Sequence, residues 1–183
     1  MQFNGRFRNR LVAASVLAAG LTVSLVAAAK LSKTGSATAG FHASGPGGLG
    51  IDGKTSEVAV SDDGSAVTIT ATLTNIDTGM GLRDKHTKED LEVDKFPTAT
   101  IRVPRDSLKL GGGSGDAKGT LTIHGQAKNV SFHYDATKNG DQLDVKAKTT
   151  INVKDFGVKP RSYLGISIKD DVDVFANFSA KDN

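Results

Sequence analysis

The chain has 183 residues and a formal charge of +3, from 23 Lys+Arg against 20 Asp+Glu. Three of the cations, Arg6, Arg8 and Arg10, lie at the N-terminus; without them 20 Lys+Arg face 20 Asp+Glu, and no basic stripe with interleaved aromatics remains to bind nucleic acid. Cysteine is absent, which excludes disulfide staples and a lipid-modified cysteine anchor.

The three arginines precede an uncharged run from Leu11 to Ala29 that closes on Ala27-Ala28-Ala29 before Lys30. This is the pattern of a secretory signal peptide, and it predicts cleavage after residue 29 and a periplasmic or secreted product. The run is also long enough to serve as a retained anchor, but Ser15, Gly20, Thr22 and Ser24 dilute it. Asn9 separates Arg8 from Arg10, against a twin-arginine address. Residues 30–35 read as a short tether, and residues 36–183 as one domain, large enough to bury a core.

From there the sequence breaks into short alternating segments. The strands expected are Ala37 to Ala43, Thr55 to Val60, Val67 to Thr74, Thr98 to Val103, Gly119 to His124, Asn129 to Tyr134, Leu143 to Val153 and Asp171 to Phe178. The clearest is Val67 to Thr74, where Val67, Ile69, Ala71 and Leu73 alternate with four threonines, the mark of a strand with one buried face. Turn chemistry separates the segments at Gly45-Pro46-Gly47-Gly48, Ser61 to Ser65, Gly125 to Lys128 and Lys138 to Asp141. Links this short predict antiparallel pairing. Gly111 to Gly115 reads as a flexible hairpin linker rather than a phosphate loop, since no Lys-Ser/Thr follows. One helix is expected around residues 82–91, too polar to cover a sheet face.

With no amphipathic helix layer, the sheet must close on itself or fold into a sandwich. The expected fold is all-β, an eight-stranded antiparallel lipocalin-like barrel with one short helix, and a sandwich with an ordinary core is the alternative. Tryptophan is absent, and the inward positions carry many small residues, including Ala43, Ala71, Ala99, Ala147 and Ala176. Such a lumen is under-filled unless a ligand occupies it. Expected lining residues are Phe41, Val67, Ile69, Ala71, Leu73, Ile101, Val103, Leu121, Ile123, Phe132, Val145, Phe156, Val174 and Phe178.

The densest polar cluster is Asn75 to His86. As a catalytic centre it would need a nucleophile held against an oriented base, and no spacing here enforces that. Asp77, Thr78 and Gly79 read as a turn, with Arg83 and Asp84 pairing across the loop. The histidines His42, His86, His124 and His133 lack ligand spacing, so no metal and no cofactor is expected. His86, His124 and Asp84 could form a weak site only if their elements meet. His133 alternates with Phe132 and Tyr134 and should face solvent.

Asp77-Thr78-Gly79, Leu82-Arg83-Asp84-Lys85-His86 and Leu91 to Thr100 occur in that order, followed by Gly119 to Gly125 and Asp155 to Val158. This ordered set resembles the YceI-like, polyisoprenoid-binding family over most of residues 36–180. The resemblance implies an exported lipocalin-like barrel with an isoprenoid chain in its lumen. Here Phe41-His42-Ala43-Ser44-Gly45-Pro46 leads straight into a turn where many members carry Asp-x-x-His-Ser, as in an abbreviated member. A shorter lipid, fatty acid or amide then joins the ligand class.

The reading favoured is carriage or sequestration of an apolar small molecule or lipid by a non-enzyme, without stable membrane insertion after signal cleavage. The rivals are a filled scaffold acting as an interaction or stress protein, and an enzyme using Arg83, Asp84, His86 and His124 at a barrel mouth on a lipid headgroup.

Overall fold

The computed structural model describes residues 30–163 and 166–182; the signal reading of residues 1–29 lies outside them. The chain runs β1 (Leu31–Ser44), β2 (Gly50–Thr55), β3 (Val58–Asp62), β4 (Ala66–Thr72), α1 (Gly81–Asp90), β5 (Thr98–Pro104) and β6 (Gly113–Ile123). It continues through β7 (Gln126–Asn139), β8 (Gln142–Asn152), the short pair β9 (Ser162–Tyr163) and β10 (Ile166–Ser167), and β11 (Asp171–Asp182). Nine strands form one antiparallel sheet in the order β2-β1-β11-β8-β7-β6-β5-β4-β3.

The two ends of that order, β2 and β3, are consecutive in the chain and joined only by Ser56 and Glu57. So short a link cannot cross an open nine-stranded sheet, so the sheet must roll up until its edges meet. Three contacts lock the seam. Lys54 and Asp77 exchange backbone hydrogen bonds at 2.9 Å, Lys33 Nζ donates to the Val58 carbonyl at 3.0 Å, and the Leu31 N–H donates to Asp62 Oδ2 at 2.9 Å. The result is a nearly closed antiparallel β-barrel with one short helix.

The count is nine strands rather than eight because Thr55 to Val60, expected as one strand, is the corner between β2 and β3. The Glu57 N–H is taken by Thr55 Oγ1 and the Val58 N–H by the Ser56 carbonyl, local bonds that a continuous strand would not make. Two links are also shorter than expected. Of residues 30–35, read as a tether, Leu31 to Thr34 pair with β11 ahead of an irregularity between Thr34 and Ala37, which breaks the alternation and hides the strand from periodicity. Gly113, Ser114 and Gly115 belong to β6, opposite Ala136, Asp135 and Tyr134. The turn after β6 is only His124-Gly125, both with positive φ (51° and 72°), the geometry of a tight two-residue hairpin.

Side chains then sort by strand parity. On β7, Phe132, Tyr134 and Ala136 are buried while Ser131, His133 and Asp135 are exposed. One end of the barrel is packed solid by Leu31, Val58, Val67, Val103, Leu143 and Phe178, with Leu108 and Leu110 beneath. Tyr134 Oη accepts from the Lys109 N–H at 2.8 Å there. Arg105 closes that end by pairing with Asp62, whose side chain is fully buried, and with Asp182 at 2.6 Å.

Glycine is required where β1 and β2 run together. Gly53 stands opposite Phe41, and a Cβ on it would overlap the Phe41 ring. Gly53→Ala should therefore displace that ring and cost about 1–3 kcal/mol by overpacking. Denaturant titration checks this, and an unchanged midpoint would mean that Phe41 is free to move aside.

Candidate functional site

Opposite the packed end, the barrel encloses a cavity of about 390 Å³, within the range of about 300–1,000 Å³ typical of small-molecule pockets. Its existence follows from side-chain size at two places in the wall. Ala39, Ala176 and Ala147 stand side by side across β1, β11 and β8, and Ala71 faces Ala99 across β4 and β5. All five line the space. Five methyl groups at positions where a packed core would place Leu, Ile or Phe leave the lumen unfilled.

Around that band the walls are apolar. Of the residues expected to line a lumen, Phe41, Ile69, Ala71, Leu73, Ile101, Leu121, Ile123, Phe132, Phe156 and Val174 surround the cavity. Val67, Val103, Val145 and Phe178 do not. They point inward as expected, but at the packed end, where Val67 and Val103 are each 1 % exposed. Strand parity assigns a face, but depth along the barrel depends on tilt and register.

The cavity also has walls that alternation could not reveal. β7 and β8 pair only from His133 and Lys148 onward, so their other halves splay apart. The short turn Val153–Phe156 packs into that gap, with Phe156 2 % exposed beside Leu121, Ile151 and Val158. Pro160, Arg161 and Ile168 from the segment before β11, Leu49 just ahead of β2 and Ile51 within it complete the rim. Apart from Ile51, these residues lie in loops and short turns, where sequence offers no periodic signal.

The open end lies under α1, which presents Arg83, His86, Thr87 and Asp90 to the cavity, the i, i+3, i+4, i+7 face of a helix. The helix is expected to be too polar to cover a sheet face, and it covers none. It caps a mouth rather than packing on a sheet, so a polar inner face is tolerated. Its apolar neighbours Met80 and Leu82 point outward, 55 % and 64 % exposed. Arg161 ties the rim to α1, donating from Nε to Asp90 at 2.5 Å and from Nη2 to Glu89 at 2.6 Å. Asp90 Oδ1 is the strongest influence holding the guanidinium protonated, raising its pKa.

The Asp77 to Asp84 motif builds the base of that helix. Asp84 Oδ1 accepts from the Thr78 hydroxyl at 2.6 Å and from the Thr78 N–H at 2.7 Å. Arg83 Nη2 donates to the Thr78 carbonyl at 2.9 Å, and Asp77 Oδ1 accepts from the Gly79 N–H at 2.8 Å. Arg83 and Asp84 therefore grip the same residue from two sides and do not pair with each other as expected. The Thr78 hydroxyl, then its N–H, hold the Asp84 carboxyl below its ordinary 3.8, burial opposing them and Lys88 and Arg83 adding to them. A carboxyl with a depressed folded pKa stabilises the fold above its unfolded pKa and loses that contribution as the pH falls through the folded value. The stability gap between wild type and Asp84→Ala should thus hold at neutral pH and shrink below pH 3.8. Denaturation at a series of pH values tests this, and a pH-independent gap would remove charge from the explanation.

His124 is separate from this cluster. It sits in the β6–β7 turn with Nδ1 3.1 Å from the Phe156 carbonyl, its ring edge-on to Phe96 at 4.9 Å, and Glu92 Oε1 3.6 Å from Nε2. No contact joins it to His86 among the described residues, and no three His, Asp or Glu side chains there come close enough to hold a metal ion. His133 lies on the outer face beside Asp116 at 2.8 Å.

Comparison with known proteins agrees with this geometry. By sequence, the chain is 34% identical over 118 residues to a UPF0312 protein of Pseudomonas fluorescens, and 31% identical over 119 residues to one of Pseudomonas putida. It spans about 60% of the length of these curated relatives. By structure, it resembles a polyisoprenoid-binding domain of Saccharophagus degradans implicated in plant cell wall breakdown. That match has a TM-score of 0.69 at 16% identity, covering 85% of this chain and 99% of that one. Burkholderia cenocepacia BcnA matches with a TM-score of 0.62 at 18% identity, covering 78% and 96%. At these identities the structural likeness establishes the fold alone. A YceI-like domain model matches residues 22–180, most of the sequence, and the chain accordingly belongs to the YceI-like family.

Proposed function

We propose that this protein is exported and binds a lipid, holding an apolar chain inside the barrel for carriage or sequestration in the periplasm or medium. The observation that carries the reading is the alanine band, which leaves a cavity of about 390 Å³ walled by Ile, Leu, Val and Phe side chains. An apolar cavity of that size weakens a fold unless something fills it, and a chain buried there gains about 0.8 kcal/mol per CH₂. The polyisoprenoid-binding domain of Saccharophagus degradans shares the barrel, which supports an isoprenoid or fatty-acid-like occupant. Arg6, Arg8 and Arg10 before the uncharged Leu11 to Ala29 run support export. The Asp77 and Asp84 carboxylates are spent on the turn around Thr78, which favours binding over turnover and calls for no cofactor.

Native mass spectrometry of the protein recovered from its host's exported fraction, followed by solvent extraction, tests the reading. A stoichiometric apolar adduct is expected. An adduct-free mass that persists after incubation with lipid extract would overturn it in favour of a filled scaffold.

A further inference from the structure

The cavity's polar lining is unevenly spent. Thr55 Oγ1 accepts from the Glu57 N–H, the Thr149 hydroxyl donates to the Ser131 carbonyl, and Asp90 is engaged by Arg161. Strand residues Thr55, Thr100 and Lys148 keep unspent donors around the wall, but three such side chains share one face of α1: Arg83, His86 and Thr87. Arg83 uses a single N–H, from Nη2 to the Thr78 carbonyl. Its Nε is covered yet has no hydrogen-bond partner, and no carboxylate lies within ion-pair distance of its guanidinium among the described residues. Neither His86 nor Thr87 bonds another described side chain. A guanidinium offers five donors and is always charged. A covered Nε at the lip of an apolar cavity is costly to leave without an acceptor, and such a donor calls for an explanation.

We infer that Arg83, with His86 and Thr87, receives the acidic head of a single-chain lipid, a carboxylate or a phosphate monoester, whose hydrocarbon tail occupies the alanine-banded cavity. This rests on the reading of the cavity as a lipid site and adds the charge of its ligand. An acidic oxygen supplies the counter-ion Arg83 lacks and accepts its unused N–H groups, and charge-assisted bonds of this kind are roughly twice as strong as neutral ones. Asp90, the one carboxylate on the same face, does not repel the head because Arg161 already neutralises it.

The test uses the purified, delipidated protein and three probes with the same tail: palmitate, hexadecyl phosphate and hexadecanol, each displacing a fluorescent apolar dye at neutral pH. At least one acidic probe should bind tenfold or more tighter than the alcohol, about 1.4 kcal/mol, and the tighter of the two identifies the head. Arg83→Gln should collapse the difference between the acidic probes and hexadecanol. Since Arg83 also holds Thr78, the double variant His86→Phe/Thr87→Val gives an independent reading, with a reduced acid preference expected. Equal binding of all three probes, or a uniform loss in the variants, would overturn the acidic-head inference while leaving the cavity reading intact. Failure of the dye and all three probes to bind would overturn both.

Discussion

Filling the alanine band with Ala147→Leu/Ala176→Leu should abolish retention of a long apolar ligand while leaving the barrel as stable as before, or more so. Both residues line the cavity and face each other across β8 and β11, so the added side chains enter space that the fold leaves open. Excluding only four methylenes of a ligand costs about 3 kcal/mol, roughly 200-fold in affinity. The same groups bury apolar surface of their own and remove a void, so the unliganded protein should melt no lower. Titration with a fluorescent fatty acid and a thermal melt of the ligand-free variant check the two halves. Undiminished binding would place the ligand elsewhere, and a sharply lower melting point would mean that the band is tightly packed.

Phe178→Ala should have the opposite profile. Phe178 is 6 % exposed in the packed end, outside the cavity, beside Val145 and Ala37 on its neighbouring strands. Truncating a buried phenyl typically costs about 3–5 kcal/mol, a large share of the roughly 5–15 kcal/mol that holds a domain folded. Urea denaturation should show that loss. Affinity for the apolar probe, measured where the variant is still folded, should stay close to wild type. A change in affinity larger than the change in stability would join the two ends of the lumen into one site.

The pair also marks where sequence reading stopped. Phe178, Val67, Val103 and Val145 have the same inward parity as Val174 and Ile69, and alternation cannot separate them. What separates them is height along the barrel, which depends on the register of β11 against β1 and β8 and on where the sheet bends. Register is a relation between strands far apart in sequence. For the same reason Ser56-Glu57 was hidden inside an expected strand. Thr55 and Val58 are both strand-like and both buried, and only the meeting of the two sheet edges makes the residues between them a corner.

By itself the sequence determined the class and the raw materials. Period-two alternation, turn residues at short intervals and the lack of an amphipathic helix layer required an antiparallel sheet that closes on itself or stacks as a sandwich, and the small inward residues favoured a lumen with space in it. These are local properties, dictated by side-chain size and by the backbone geometry of neighbouring residues. The tertiary structure decided which end is solid and which is open, and brought β7 and β8 apart so that Val153–Phe156 became part of the wall. It also turned the polar face of α1 over the mouth, leaving Arg83 without an ion-pair partner among the described residues. Those outcomes depend on strand register, barrel closure and the packing of loops distant in sequence, none of which a pattern along one chain can encode.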